Sequence, residues 1–187
     1  NSKNVLAYWL ADRLDQMAFL TLGGISYAFK NNGAARVGSD LPFLEFASDV
    51  SAPTAARRLR WDNTAKTLVA NAATTGVVGT DTPTWEMFVQ LKAYAKDRYI
   101  RGVNANGGEE TFHAFLTPQA MARLKLDPTY LQNLRHSVQS DKNDALFSGS
   151  TVKIDGIYLH EFRHVPNTSG AAAGSKYGGA GTVVERF

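Results

Sequence analysis

The alternation of apolar and polar positions is most regular at the start of the chain. Behind Ser2, a good N-cap, residues 3–22 carry helical periodicity, with Leu6, Leu10, Leu14 and Met17 on one stripe, widened by Val5, Trp9 and Leu20. Asp12, Asp15 and Gln16 lie off that stripe, and Gly23-Gly24 closes it. A helix of this length spans ~30 Å and predicts a frame on which other elements pack. On this pattern Leu10 and Leu14 belong to the core, whereas Asp12 and Gln16 should tolerate truncation.

The pattern then loosens. Residues 30–53, rich in Asn, Gly, Ser and Pro, predict a long connection with strand-like pieces, and a short helix is expected over 54–62. Residues 63–80 fit no single period. A second amphipathic helix opens after Thr82 or Thr84 with Pro83, its apolar face running through Trp85, Phe88, Leu91, Tyr94 and Ala95. "TFHAFL" (111–116) reads as a strand. Two short helices follow, one capped by Thr117 with Pro118, the next by Asp127 with Pro128. Two β-rich runs joined by Asp155-Gly156 predict a hairpin, and a final strand is expected in "GTVVERF".

That hairpin bears on the one motif that names a chemistry. His160-Glu161-Phe162-Arg163-His164 matches H-E-x-x-H, the zinc signature of metallopeptidases. The motif works on a helix, where residues four apart share a face at ~5–6 Å. Here it follows the Asp-Gly turn with three residues between, and Pro166 stops the run. On a strand, His160 and His164 would lie ~13 Å apart, too far for one ion with bonds of ~2.0–2.1 Å. Glu185 stands at a countable distance for a third ligand, but Gly/Ala/Ser-rich sequence separates it from His164. The expectation is that these are polar residues of a sheet strand and hold no zinc.

Other constellations are thin. His113 and His136 lack a nucleophile partner in the sequence. The glycine pairs 23–24, 107–108 and 178–179 lack the Lys-Ser/Thr of a phosphate loop. Glu109-Glu110 beside Gly-Gly suits an exposed turn better than acid–base work. No catalytic, cofactor or metal residue is assigned, and no enzyme is required.

Composition narrows the class. The chain has 187 residues, 44% hydrophobic and 20% charged, which is ordinary for a folded domain. It has no cysteine, so disulfides and thiolate metal sites are excluded. No apolar run approaches the ~20 residues of a membrane span. Net charge is +3, and the densest basic cluster, Arg57, Arg58 and Arg60, reads as a solvated or subunit-facing surface without a nucleic-acid motif beside it. The chain opens on Asn1 and ends on a strand-like run, so it is expected to be a piece of a longer polypeptide.

The order of segments is itself distinctive. "YWLADRLDQMAFLTLGG" is followed by "PTWEMFVQLKAYA", then "FLTPQAMARLK", then "LFSGSTVKIDGIYLHEFR". This resembles the major capsid proteins of tailed phages related to coliphage N4, with the HK97-like fold, over nearly the whole chain. The resemblance places Asn143, Phe147, Gly149, Gly156, His160 and Glu161 in a structural signature, of which the zinc-like match is a by-product. The chain departs from the family's pattern after "YIR", where Gly102-Val103 stands in place of the usual proline.

The resemblance implies an α+β fold in which residues 1–24 form the spine helix of a peripheral domain. Residues 25–187 then supply its strands and an axial domain, with no internal boundary legible within the single capsid-type region 1–187. The N-terminal arm and extended loop of the family are missing, which implies an internal fragment. On its own such a piece should stay monomeric or form small, weak oligomers.

The implied function is a structural virion protein that associates with itself into hexameric and pentameric capsomers. These close into an icosahedral shell around double-stranded DNA, which the basic excess tolerates without sequence recognition. The implied location is the virion, with assembly in the host bacterial cytoplasm; other virion proteins are further partners, and no membrane or cofactor is involved. The alternatives are a zinc metallopeptidase through HEFRH and an encapsulin-like cellular nanocompartment shell.

Overall fold

The computed structural model describes residues 2–37, 53–70, 77–104, 110–137 and 152–171, and these fall into two compact units. The first contains residues 1–59, 70–78 and 164–186; the second contains 60–69 and 79–163.

In the first unit, helix α1 runs Ser2–Gly23, as the periodicity predicts. Its end is a double hydrogen bond around a left-handed residue. Gly24, at φ +63°, donates to Thr21 O at 3.0 Å, and Ile25 donates to Leu20 O at 2.9 Å. The stripe is another matter. Leu6, Leu10 and Leu14 are 64%, 52% and 58% exposed, and Leu20 is the buried residue of the helix. The expected burial of Leu10 and Leu14 is therefore corrected.

The covered face of α1 carries Asp12, Gln16 and Leu20, spaced four apart. Here the chain folds back through a tight turn, in which Phe29 bridges Ala35 and Gly33 takes φ +87°. Hydrogen bonds to segments that return from further along the chain, Asn31 to Gln16 O and His164 to Asp12 among them, decide which face is covered, and apolar periodicity does not report them.

The expected helix over 54–62 is also corrected. A single 3-10 turn covers Ala55–Arg57, and strand β1 then runs Leu59–Asp62. It pairs with β2, Thr67–Ala70, in a two-stranded ribbon. The turn between them belongs to Asp62, whose carboxylate accepts from Ala65 N at 2.8 Å and Thr64 N at 3.0 Å. An Asp that can satisfy two turn amides competes with a helix at that position. Arg60 points at Asp62 and Asp81, at 3.8 and 3.9 Å, so part of the basic cluster is spent within the fold.

The second unit is organised on a four-stranded mixed sheet, β3 (Val103–Asn104), β4 (Glu110–Leu116), β5 (Val152–Ile154) and β6 (Ile157–Glu161), in the order β3-β4-β6-β5. Strands β4 and β6 are parallel; the other pairs are antiparallel. Helices α2 (Trp85–Asp97), α3 (Pro118–Lys125) and α4 (Pro128–Ser137) pack on one face. Phe88 of α2, Met121 and Leu124 of α3 and Tyr130 of α4 meet Leu116, Ile154, Ile157 and Leu159 in one buried cluster. Fully burying a side chain of this size contributes about 1.5–3 kcal/mol. Helices on one side of a mixed sheet make an α+β unit.

The helix starts are those expected. Thr84 and Thr117 accept from Met87 N and Ala120 N. Asp127 does more than cap α4: its Oδ2 accepts from Tyr130 N and from Trp85 N, both at 3.1 Å, so one carboxylate oxygen serves the starts of α4 and α2.

At the sheet edge, Gly102 N donates to Glu110 Oε1 at 2.7 Å, and a Cβ at 102 would stand 2.5 Å from Thr111 O. A proline could not make that hydrogen bond, which accounts for Gly102 standing where the resemblance leads one to look for Pro. Glu110 is thus a half-buried strand residue, against the expected exposed turn; Glu109 lies outside the described residues, as do the glycine pairs 107–108 and 178–179, Asn143, Phe147, Gly149, Glu185 and the expected terminal strand.

Candidate functional site

The Asp155-Gly156 turn joins β5 to β6 with φ of 45° and 81°, both positive, as a two-residue hairpin requires. Lys92 of α2 anchors it through Asp155 Oδ1 at 2.8 Å. From Ile157 the backbone is extended to Glu161, and residues 163–164 form a turn. The H-E-x-x-H stretch is therefore half strand and half turn, with no helix. Glu161 lies on the opposite face of β6 from His160, because side chains alternate.

The two histidines of the motif also belong to different compact units, His160 to the second and His164 to the first. The expected placement of both on one strand is corrected in this respect. His164 Nε2 meets Asp12 Oδ1 at 2.7 Å with only 12% of its side chain exposed. Gln16 Nε2 donates to Asp12 Oδ2 at 2.7 Å, and Asn31 Nδ2 donates to both Gln16 O (3.1 Å) and His164 O (2.6 Å). Asp12 and Gln16, expected to be dispensable, are thus part of a polar clamp, and His164 is not a free surface residue.

On the open face of the second unit's sheet the register sets His113 opposite Tyr158 and Phe115 opposite His160. Their side chains form a line of rings. His113 Nδ1 and His160 Nε2 are 2.8 Å apart. The ring centroids are 5.1 Å apart with planes within 15°. This exceeds the N···N distance by about a ring's width, so the imidazoles meet end to end, not face to face. Phe115 flanks His160 at 5.1 Å, and Tyr158 flanks His113 at 5.4 Å with Lys153 Nζ 5.2 Å from its centroid. His113, unpartnered in the sequence reading, has its partner here. No signal at a separation of 47 residues could have found it, since parallel pairing has no local turn to announce it. His136 lies near the end of α4, away from both clusters in sequence.

Among the described residues no group of three or more His, Cys, Asp or Glu side chains is arranged to hold a metal ion, and no helix is long and apolar enough to cross a membrane. What the geometry offers is an open sheet face of rings and a long helix with apolar side chains in solvent.

No family model matches the chain. It is 56% identical over 182 residues to the major capsid protein of Pseudomonas phage KPP25, an alignment that covers 97% of this chain and 48% of that protein. Among solved structures it is similar to the capsid of Ralstonia phage GP4, with a TM-score of 0.59 and 16% identity, over 88% of this chain and 45% of that one. The second likeness speaks for the fold, the first for descent. The chain is similar in sequence to a phage major capsid protein and in fold to a phage capsid, and it spans about half the length of the relative it matches.

Proposed function

We propose that this chain is shell-forming sequence of a major capsid protein with the HK97-like fold. Its role is self-association into hexameric and pentameric capsomers of an icosahedral shell around double-stranded DNA. The carrying observation is the 56% identity maintained over 97% of the chain with the major capsid protein of phage KPP25. In this reading α1 is the spine helix of the peripheral domain, and the sheet with its three helices contributes to the axial domain. Assembly takes place in the host cytoplasm.

The chain's work is surface complementarity repeated over many copies, with no catalytic group and no zinc at residues 160–164. Two features support the absence of peptidase chemistry. The helix that H-E-x-x-H requires is replaced by a strand and a turn, and Glu161 lies across the sheet from His160. Mass spectrometry of purified virions tests the proposal. Peptides of this chain should dominate the shell fraction, and cross-linking should return pairs joining identical residues of two copies. Virions whose shell fraction contains none of these peptides would overturn it.

A further inference from the structure

We propose that His113 and His160 form a two-imidazole chelate for a tetragonal divalent d-block ion, Cu(II) before Ni(II). This site shares His160 with the H-E-x-x-H pattern but uses neither Glu161 nor His164.

The two nitrogens, Nδ1 of His113 and Nε2 of His160, stand 2.8 Å apart on the solvent side of a parallel strand pair. Only one hydrogen can lie between them, and an imidazole nitrogen without its hydrogen is a metal ligand. An ion bonded to both at ~2.0–2.1 Å, with the nitrogens still 2.8 Å apart, subtends an angle close to a right angle. That is the cis angle of square or tetragonal coordination, which Cu(II) and Ni(II) favour, and it is well short of the tetrahedral angle of structural zinc.

When the ion enters, the hydrogen between the rings passes through solvent to the outer nitrogen of its own imidazole, and the rings tilt so that both lone pairs face the ion. His113 is exposed and has the room to do this. Both strands are held from behind by the buried cluster, with Leu159 beside His160 and Leu116 on β4 among its members. The backbone spacing of the two ligands is thereby preset, which lowers the ordering cost of chelation. Among the described residues no third side-chain ligand of the usual kinds is grouped there, and the remaining positions go to water. The order of affinity then follows the ordinary series for divalent ions.

The chain, purified without a histidine tag and stripped with chelator, is titrated with Cu(II) and followed by electron paramagnetic resonance and calorimetry. The expected result is a single tetragonal copper per chain, coupled to two nitrogens. His113→Ala and His160→Ala should each lower the affinity at least ~10-fold and remove the two-nitrogen coupling, while His164→Ala and His136→Ala should leave both unchanged. Thermal melts of the metal-free variants establish that each is folded. A copper signal that survives the double substitution His113→Ala/His160→Ala overturns the proposal, as does the absence of stoichiometric binding to the folded parent.

Discussion

Individual residues with unusual environments set the sharpest expectations. Gly156 sits at φ +81°, where a β-branched side chain is strained although its would-be Cβ would meet only ordinary van der Waals contacts, the nearest being Lys92 Nζ at 3.5 Å. Gly156→Val should therefore cost about 1–3 kcal/mol from backbone conformation alone, read as a lower midpoint in a denaturant titration. Tyr130 is buried, and burial raises its phenol above the ordinary 10.0. The unfolded chain then releases that proton first. Tyr130 contributes stability that is intact below the unfolded value and lost as pH rises through the folded one. Melts of the parent and of Tyr130→Phe at several alkaline pH values should show a shallower decline in the variant. Asp62 acts at the other end. Its carboxyl is lowered mainly by the Ala65 N–H, with Thr64 N–H and Arg60 assisting against burial, so what it adds is lost as pH falls into the acid range.

At the level of the element, α1 reverses the ranking that its sequence suggests. Leu14 is 58% exposed, so Leu14→Ala should change stability by no more than about 0.5 kcal/mol in the chain by itself. Asn31 is buried and hydrogen-bonds two carbonyls, one on α1 and one at His164. Asn31→Ala would strip both carbonyls of that partner, each at a cost of about 1–3 kcal/mol if left unsatisfied. Its own Oδ1 is buried with no partner among the described residues, which partly offsets the loss. Side-by-side urea titrations should find Asn31→Ala the more destabilised of the two, and a larger loss in Leu14→Ala would mean that the apolar side of α1 is covered.

Across the whole molecule the two compact units give the same substitution a spatial signature. Asn31, Gln16, Asp12 and His164 all belong to the first unit, whereas β4 and β6 lie in the second. Hydrogen exchange on Asn31→Ala should show faster exchange in residues 2–37 and 164–171, with amides of β4 and β6 keeping their protection. Uniform acceleration through both would show that the clamp stabilises the chain as a single cooperative body. The run of exposed apolar side chains on α1 also belongs to this scale. Patches of this kind mark contact surfaces, which is what the proposed shell-forming role calls for.

Much was legible in the sequence because its cause is local. Thr84, Thr117 and Asp127 announce helix starts through a side chain and an amide three residues on, and Asp155-Gly156 announces a hairpin through two backbone torsions. The same hairpin, read from the sequence, leaves H-E-x-x-H no helix to stand on. The family resemblance, too, lay in contiguous segments. Only the tertiary structure decided what rests on distance along the chain: which face of α1 is covered, that His164 reaches Asp12 from 152 residues away, and that His113 meets His160. A helical period says that a face is apolar, but the partner that covers a face arrives from elsewhere. Parallel strands pair without a turn to fix their register, so the meeting of two imidazoles across them is settled only when the sheet has formed.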